Sequence, residues 1–232
     1  MLTHHIADLK VGIEYKHPRM INQAAAYVVN DTETDFNIEV PEHVIEIMHE
    51  ENPHLSVDSC EYMATSFVFY RRLVDYNGML LHASAVIKDG YAYLFSAPSG
   101  TGKSTHTELW LKVFPGAEIL NDDKPAIRCV DGKVNVYGTP WSGKTSLNLN
   151  KCIPIGGICF LERSENNFIH EITTAEAIPL LLNQTVRPKL KENMEKLLGV
   201  VETILNNTKV YKMGCNISEE AALMAYEKMK EM

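Results

Sequence analysis

The chain has only five cysteines in 232 residues, and no two of them form a Cys-x-x-Cys pair. An odd, scattered set of this kind argues against a disulfide framework and a structural zinc site. Cys60, Cys129, Cys152, Cys159 and Cys215 are therefore expected to be buried reduced thiols. Long apolar runs are missing as well, since no stretch approaches the roughly 18 residues that a membrane-spanning helix needs. Met1-Leu-Thr-His-His-Ile lacks a basic region followed by an apolar one, so it does not read as a secretory leader. The expectation is a cytoplasmic protein with no membrane partner. Basic runs are absent too, and the net charge is −8, which gives a nucleic acid little to hold. There are no internal repeats and no low-complexity segments.

What remains is ordinary globular composition, 45% hydrophobic and 22% charged, enough for one generous domain or one with a small appendage. Residues 1–76 read as a small N-terminal α+β subdomain. Within it, residues 25–29 and 36–40 alternate like strands, Pro41 opens a short helix to about residue 50, and residues 59–76 carry Met63, Phe67, Tyr70, Leu73 and Val74 at helical spacing. Residues 77–232 read as the second unit. One strand is expected over 79–87, a turn at Asp89-Gly90, and a second strand over 91–96. A glycine-rich loop and a helix over 101–114 follow, then a short strand at Ile119-Leu120. Residues 126–130 and 133–137 make a hairpin about Asp131-Gly132. A buried strand over 156–161, a late strand over 210–213 and helices over 174–183, 189–205 and 218–230 complete the reading. Strands flanked by helices, with hairpins among the strands, predict an α/β fold with a mixed sheet.

The loop Ala97-Pro98-Ser99-Gly100-Thr101-Gly102-Lys103-Ser104 fits the phosphate-loop pattern, with alanine where glycine is usual at the first position. Gly100 and Gly102 let the backbone curl so that successive N–H groups point at phosphate oxygens, and the following helix adds its positive end. Lys103 is placed to reach the β- and γ-phosphates, the Ser104 hydroxyl to take a magnesium position, and Thr105 offers a second hydroxyl. A glycine-rich turn alone does not explain Lys-Ser at a helix start, so ATP and Mg2+ are the expected ligands.

Nineteen residues after Lys103 (122 − 103) stand Asp122-Asp123, spaced for one helix and a return into the sheet. One carboxylate can orient magnesium and the other accept a proton from an attacking hydroxyl; a solvated turn is the bland alternative. His82 is either a satisfied core histidine or, beside small residues, a group facing the phosphates. The segment Tyr137-Gly-Thr-Pro-Trp-Ser-Gly-Lys144 is either a loop that closes on a substrate through Trp141 or Lys144, or an ordered connection. Lys124 and Arg128 are candidate phosphate clamps.

Together, Leu81-His82-Ala83-Ser84-Ala85, the loop Ser99-Gly-Thr-Gly-Lys-Ser-Thr105 and Asn121-Asp122-Asp123 resemble the catalytic domain of HPr kinase/phosphorylase, and more widely the phosphoenolpyruvate carboxykinase-type nucleotide-binding fold. The resemblance is best over residues 79–162 and is closer to small stand-alone kinases than to the bifunctional enzyme. It implies a P-loop kinase-like catalytic domain over 77–232, in which His82, Lys103, Ser104 and Asp122 serve the reaction. Asp122 would be the base and Asp123 would support the metal. Two family signatures are replaced here, by Gly138-Thr139-Pro140 and by Ile155-Gly-Gly-Ile158, so phosphorolysis, the HPr partner and the family's hexamer are not carried over. The expected activity is transfer of the γ-phosphoryl group of ATP to a hydroxyl on a small molecule, peptide or protein, in a chain that can form an oligomer. A nucleotide-dependent regulatory module, or a phosphohydrolase or phosphorylase using the same site, is the alternative.

Overall fold

The computed structural model describes residues 1–231. Two strands open the chain, β1 (Leu2–Ile6) and β2 (Leu9–Ile13), paired as a hairpin with Ile6 opposite Leu9. Between them Ala7 and Asp8 have φ of 53° and 55°, the double left-handed turn whose twist suits a hairpin. Next comes α1 (Pro18–Ala24), with proline in its first turn where a missing N–H costs nothing. The strand β3 (Phe36–Ile38) then lies parallel to β2, followed by α2 (Glu42–Glu51) and α3 (Val57–Leu73). The Ser56 hydroxyl caps α3 by accepting from the Ser59 N–H.

The main sheet follows. Its strands are β4 (Gly78–Leu80), β5 (Ala83–Lys88), β6 (Tyr91–Ser96), β7 (Glu118–Asn121), β8 (Ala126–Val130), β9 (Lys133–Tyr137), β10 (Cys152–Arg163), β11 (Phe168–Glu171) and β12 (Val210–Cys215). They pair in the order β4-β8-β9-β10-β6-β5-β7, with β12 on β10 and β11 on β12. The sheet is mixed: β10 runs parallel to β6 and β12 but antiparallel to β9. Its helices are α4 (Lys103–Val113), α5 (Thr174–Asn183), α6 (Lys191–Asn207) and α7 (Glu219–Met229).

Side-chain alternation in the central strands explains the layering. In β6, Tyr93 and Phe95 join the apolar cluster under α4 and α7, while Ala92 and Leu94 join the one under α5 and α6. Cys159 and Leu161 of β10 divide from Ile158 and Phe160 in the same way. Successive residues of a strand point to opposite faces, so strands apolar at every position need helices on both sides. A third cluster joins the N-terminal strands and α3 to Leu80, Ala126, Tyr137 and Trp141 of the main sheet region.

Several expectations are corrected. Residues 25–29 are not a strand: Ala25–Tyr27 is a 3-10 turn closing α1, although Val28 bridges back to His4. The single strand expected over 79–87 is two, because β4 pairs with β8 whereas β5 pairs with β6 and β7. Between them the His82 N–H donates to the Gln184 carbonyl at 2.7 Å and the Ala83 N–H to the Asp123 carbonyl at 3.1 Å. The strand at 156–161 extends to Cys152–Arg163: Cys152–Pro154 pair with β9, and the pairing with β6, which starts at Ile155, shifts register between Ile155 and Gly157. All five cysteines are free thiols, but only Cys60 and Cys159 are buried, and Cys152 is exposed. Among the described residues no helix is long and apolar enough to cross a membrane.

Trp141, expected to touch a substrate, is fully buried instead. Its ring packs on Phe69 at 4.8 Å between centroids, and its indole N–H donates to the Thr65 hydroxyl at 3.2 Å. Burial of that area makes it a core residue. Trp141→Ala should cost about 3–5 kcal/mol of folding free energy, as measured by denaturant titration. A midpoint equal to that of the parent would return the residue to the list of substrate contacts.

Candidate active site

The loop leaves β6 after Ser96 and enters α4 at Lys103, the strand-to-helix passage that a phosphate cradle needs. Gly100 and Gly102 take φ of +79° and +123°, conformations that an L side chain rarely adopts, and a Cβ on either would meet nothing within 4 Å. Conformation, not crowding, requires glycine here. Arg163, at the end of β10, donates to the Gly100 carbonyl at 2.6 Å and the Thr101 carbonyl at 3.3 Å. The sequence reading missed this residue. Within the loop, the Thr101 N–H turns back to the Pro98 carbonyl at 3.3 Å. Lys103 is nearly buried and its Nζ donates to the Ala97 carbonyl at 3.0 Å. Burial holds its pKa below the usual lysine range, partly countered by Asp123 and Asp122.

A cleft of about 620 Å³ opens on this loop. Ser99, Gly100, Gly102, Lys103, Ser104 and Thr105 form one wall, and His82, Asp122, Asp123 and Lys124 form another. The residues singled out from sequence for chemistry therefore meet in one place, with Lys144 also on the lining. Ala97 is buried in the apolar cluster beneath α4, and Pro98 is exposed outside this lining. Arg128 is not a clamp: it donates to the Tyr76 carbonyl at 3.0 Å and the Ala7 carbonyl at 2.6 Å, holding the first hairpin.

Asn121 shapes the acidic turn. Its side-chain oxygen accepts from the N–H groups of Asp123 and Lys124 at 3.0 and 2.7 Å, and its amide donates to the Thr139 carbonyl at 2.9 Å. The two carboxylates then part. Asp122 is buried and accepts from the Ser84 hydroxyl at 2.7 Å; that hydroxyl lies 2.8 Å from the hydroxyl of Thr107 on α4. Asp123 faces His82, with its Oδ1 3.3 Å from Nε2, and Lys124, 3.9 Å from Oδ2. The other His82 nitrogen lies 3.0 Å from the Gln184 side-chain oxygen. Burial pushes the Asp123 carboxyl up, but the His82 hydrogen bond and the charges of Lys124, His82 and Lys103 outweigh it and hold it below the usual carboxylate range. Burial lowers Lys124 despite Asp123 beside it, and nearby Arg19 adds to the effect.

The 137–144 segment is an ordered connection. Arg19 donates to the Gly143 carbonyl at 2.6 Å with its guanidinium carbon 3.6 Å over the Tyr62 ring, and the Tyr62 hydroxyl accepts from the Gly143 N–H at 2.8 Å. Gln23 reaches the Ser146 hydroxyl at 2.9 Å. Arg19 and Tyr62 thus line the cleft from the N-terminal elements, a contribution that no motif announced.

This arrangement can hold a polyanion on main-chain N–H groups and Lys103, and can offer carboxylate oxygens to a cation and to a proton. Among the described residues no group of three or more His, Cys, Asp or Glu is placed to hold a metal by itself. A magnesium ion bound with phosphates asks for only one or two protein ligands, so the donor set of Ser104 and one carboxylate suits it. Asp122 has one oxygen engaged by Ser84, and among the described residues its Oδ2 accepts no hydrogen bond.

No protein-family model matches the sequence, and no curated protein matches it. Among solved structures, the chain is similar to the Hpr(Ser) kinase/phosphatase from Coxiella burnetii, at a TM-score of 0.39 and 11% identity, over 64% of this chain and 95% of that one. The likeness is distant and structural.

Proposed function

We propose that this chain transfers the γ-phosphoryl group of a nucleoside triphosphate, ATP by expectation, to a hydroxyl. The observation that carries the reading is a single cleft in which the phosphate loop with Lys103 faces the Asp122-Asp123 turn. A second cleft, of about 720 Å³, shares Gly100, Gly102 and Thr105 with the first and runs past Arg163 and Ile217. It offers the nucleoside a seat on the far side of the loop.

In this reading the loop N–H groups and Lys103 hold the β- and γ-phosphates and stabilise charge on the transferring oxygens. Ser104 and Asp122 would hold magnesium, whose charge would offset that of the phosphates. The two aspartates have different partners, which favours different roles. Asp122 is tied through Ser84 to Thr107, three residues beyond Ser104 on the loop helix, and is the better metal-side carboxylate. Asp123 is the more exposed of the two and lies between His82 and Lys124 on the cleft, and so is the better placed to meet the hydroxyl proton. That exchanges the roles the family resemblance implies for the pair. The acceptor oxygen bonds to phosphorus as the β,γ-bridging P–O bond breaks; its proton passes to Asp123 and the nucleoside diphosphate leaves.

Asp123→Asn should keep magnesium-dependent nucleotide affinity and lose about 10²–10⁴-fold in transfer rate, whereas Asp122→Asn should weaken that affinity first. Nucleotide titration with and without magnesium, beside single-turnover transfer, separates them. The opposite pattern restores Asp122 as the base. Lys103→Met should raise the melting temperature of the nucleotide-free protein, because burial already disfavours that charge. The sign follows from linkage: a lysine whose folded pKa is depressed opposes folding at pH values where it stays protonated. The same variant should lose the stabilisation by ligand, about 2.7 kcal/mol at a hundredfold excess over Kd. A full thermal shift with ATP in Lys103→Met would remove the loop from the mechanism.

A further inference from the structure

A third cavity, a groove of about 630 Å³, joins the phosphate cleft directly, because Met63 and Lys124 line both. Its walls are apolar: Val44 and Met48 come from α2, Met63 and Phe67 from α3, and Leu80 and Val186 complete it. Met63 and Phe67 are 41% and 49% exposed, a large apolar investment on a surface helix with nothing packed over it. Beyond Phe67 the character changes. A pocket that shares Phe67 is lined by Arg71, Arg187 and Lys189, and the Arg71 guanidinium lies 5.5 Å from the Phe67 ring.

Among the described residues none of these three cations forms an ion pair, although neighbouring Arg72, Lys191 and Lys196 all do. In a chain of net charge −8, three unpaired cations at the end of an apolar groove call for an anionic occupant. Glu39 is the carboxylate on the apolar lining, on the α2 side and away from that basic end.

Spacing sets the class of occupant. Met63, Phe67 and Arg71 stand four residues apart on α3, so they form one stripe along the helix. Eight residues (71 − 63) rise about 12 Å. That is the reach of roughly four residues of extended chain, and it exceeds a small alcohol or a free amino acid.

Resting on the phosphoryl-transfer reading above, we propose that the acceptor is a polypeptide segment bound in extended form along α3. Its serine or threonine hydroxyl lies at the cleft beside Met63 and Lys124. The next residues place apolar side chains against Met63 and Phe67, and an acidic side chain about four residues away meets Arg71 and Arg187.

The test uses the full chain without nucleotide, so that binding is read apart from chemistry. Fluorescein-labelled octapeptides carry one serine, apolar residues beside it, and either aspartate or lysine four positions away, on the N-terminal side in one set and the C-terminal side in another. In fluorescence anisotropy, one aspartate peptide should bind at least tenfold tighter than its lysine counterpart. Arg71→Glu/Arg187→Glu should reverse that preference, and Phe67→Asp should abolish binding. The changed side chains are exposed, and a melting curve for each variant checks that it folds. Equal binding of all peptides, or none, overturns the proposal. So does a concentration-dependent dimer in sedimentation that Phe67→Asp dissolves, since the groove would then belong to a second copy. Binding with the expected preference but no transfer from ATP leaves the groove standing and removes the kinase reading instead.

Discussion

Two carboxylates on adjacent residues can be held at the edge of a buried sheet only if the backbone turns tightly and each finds its own counter-group. The Asn121 carboxamide supplies the turn by accepting two successive N–H groups and anchoring itself to Thr139. The turn sends Asp122 toward Ser84 and the phosphate-loop helix, and Asp123 toward His82 and Lys124. Without that divergence the like charges would compete for the same cations, and one would be driven to protonate. The break between β4 and β5 serves the same end, because the Ala83 N–H bonds to the Asp123 carbonyl and leaves the His82 side chain in the cleft. Geometry at one turn therefore decides both acidic positions and the histidine.

The glycine-rich loop between β6 and α4 and the acidic pair after β7 were legible because each is a run of contiguous residues. The turns Asp89-Gly90 and Asp131-Gly132 were legible for the same reason, and both residues of each have positive φ. The first hairpin turn uses the same conformation with Ala7-Asp8, a pair that carries no glycine signal, so β1 and β2 went unread. The strand at 79–87 looked continuous because every residue from Gly78 to Ile87 except His82 is buried; burial does not say which neighbour each half pairs with. Arg19, Tyr62, Arg163 and Gln184 reach partners 63 to 124 residues away in sequence, and those partners are main-chain atoms or single side chains. Such contacts leave no local pattern to find. Trp141 misled for a related reason: an indole among glycines and hydroxyls resembles a binding loop, yet Thr65 and Phe69 claim it for the core.

The electrostatics of the cleft favour an anion. Burial lowers Lys103 and Lys124, so each is less comfortable as a cation than a surface lysine would be. A negative charge entering the cleft would relieve that discomfort, so part of the affinity for a polyanion would come from stability forgone in the free protein. Protein-wide charge does not help, since the chain is acidic overall. Local placement does.

The helix α3 ties these elements together. One of its faces, with Tyr62, Phe69 and Tyr70, is buried in the N-terminal cluster. Tyr62 also receives the Gly143 N–H and supports Arg19, so this helix fixes the connection that borders the phosphate cleft. Its other face carries Met63, Phe67 and Arg71 along the groove. A rigid element that borders both clefts holds their separation constant, because moving one wall moves the other. An occupant lying along it would therefore be positioned by contacts about 12 Å from the reacting atoms, and its remote binding energy could align a hydroxyl with the phosphate loop without any mobile lid.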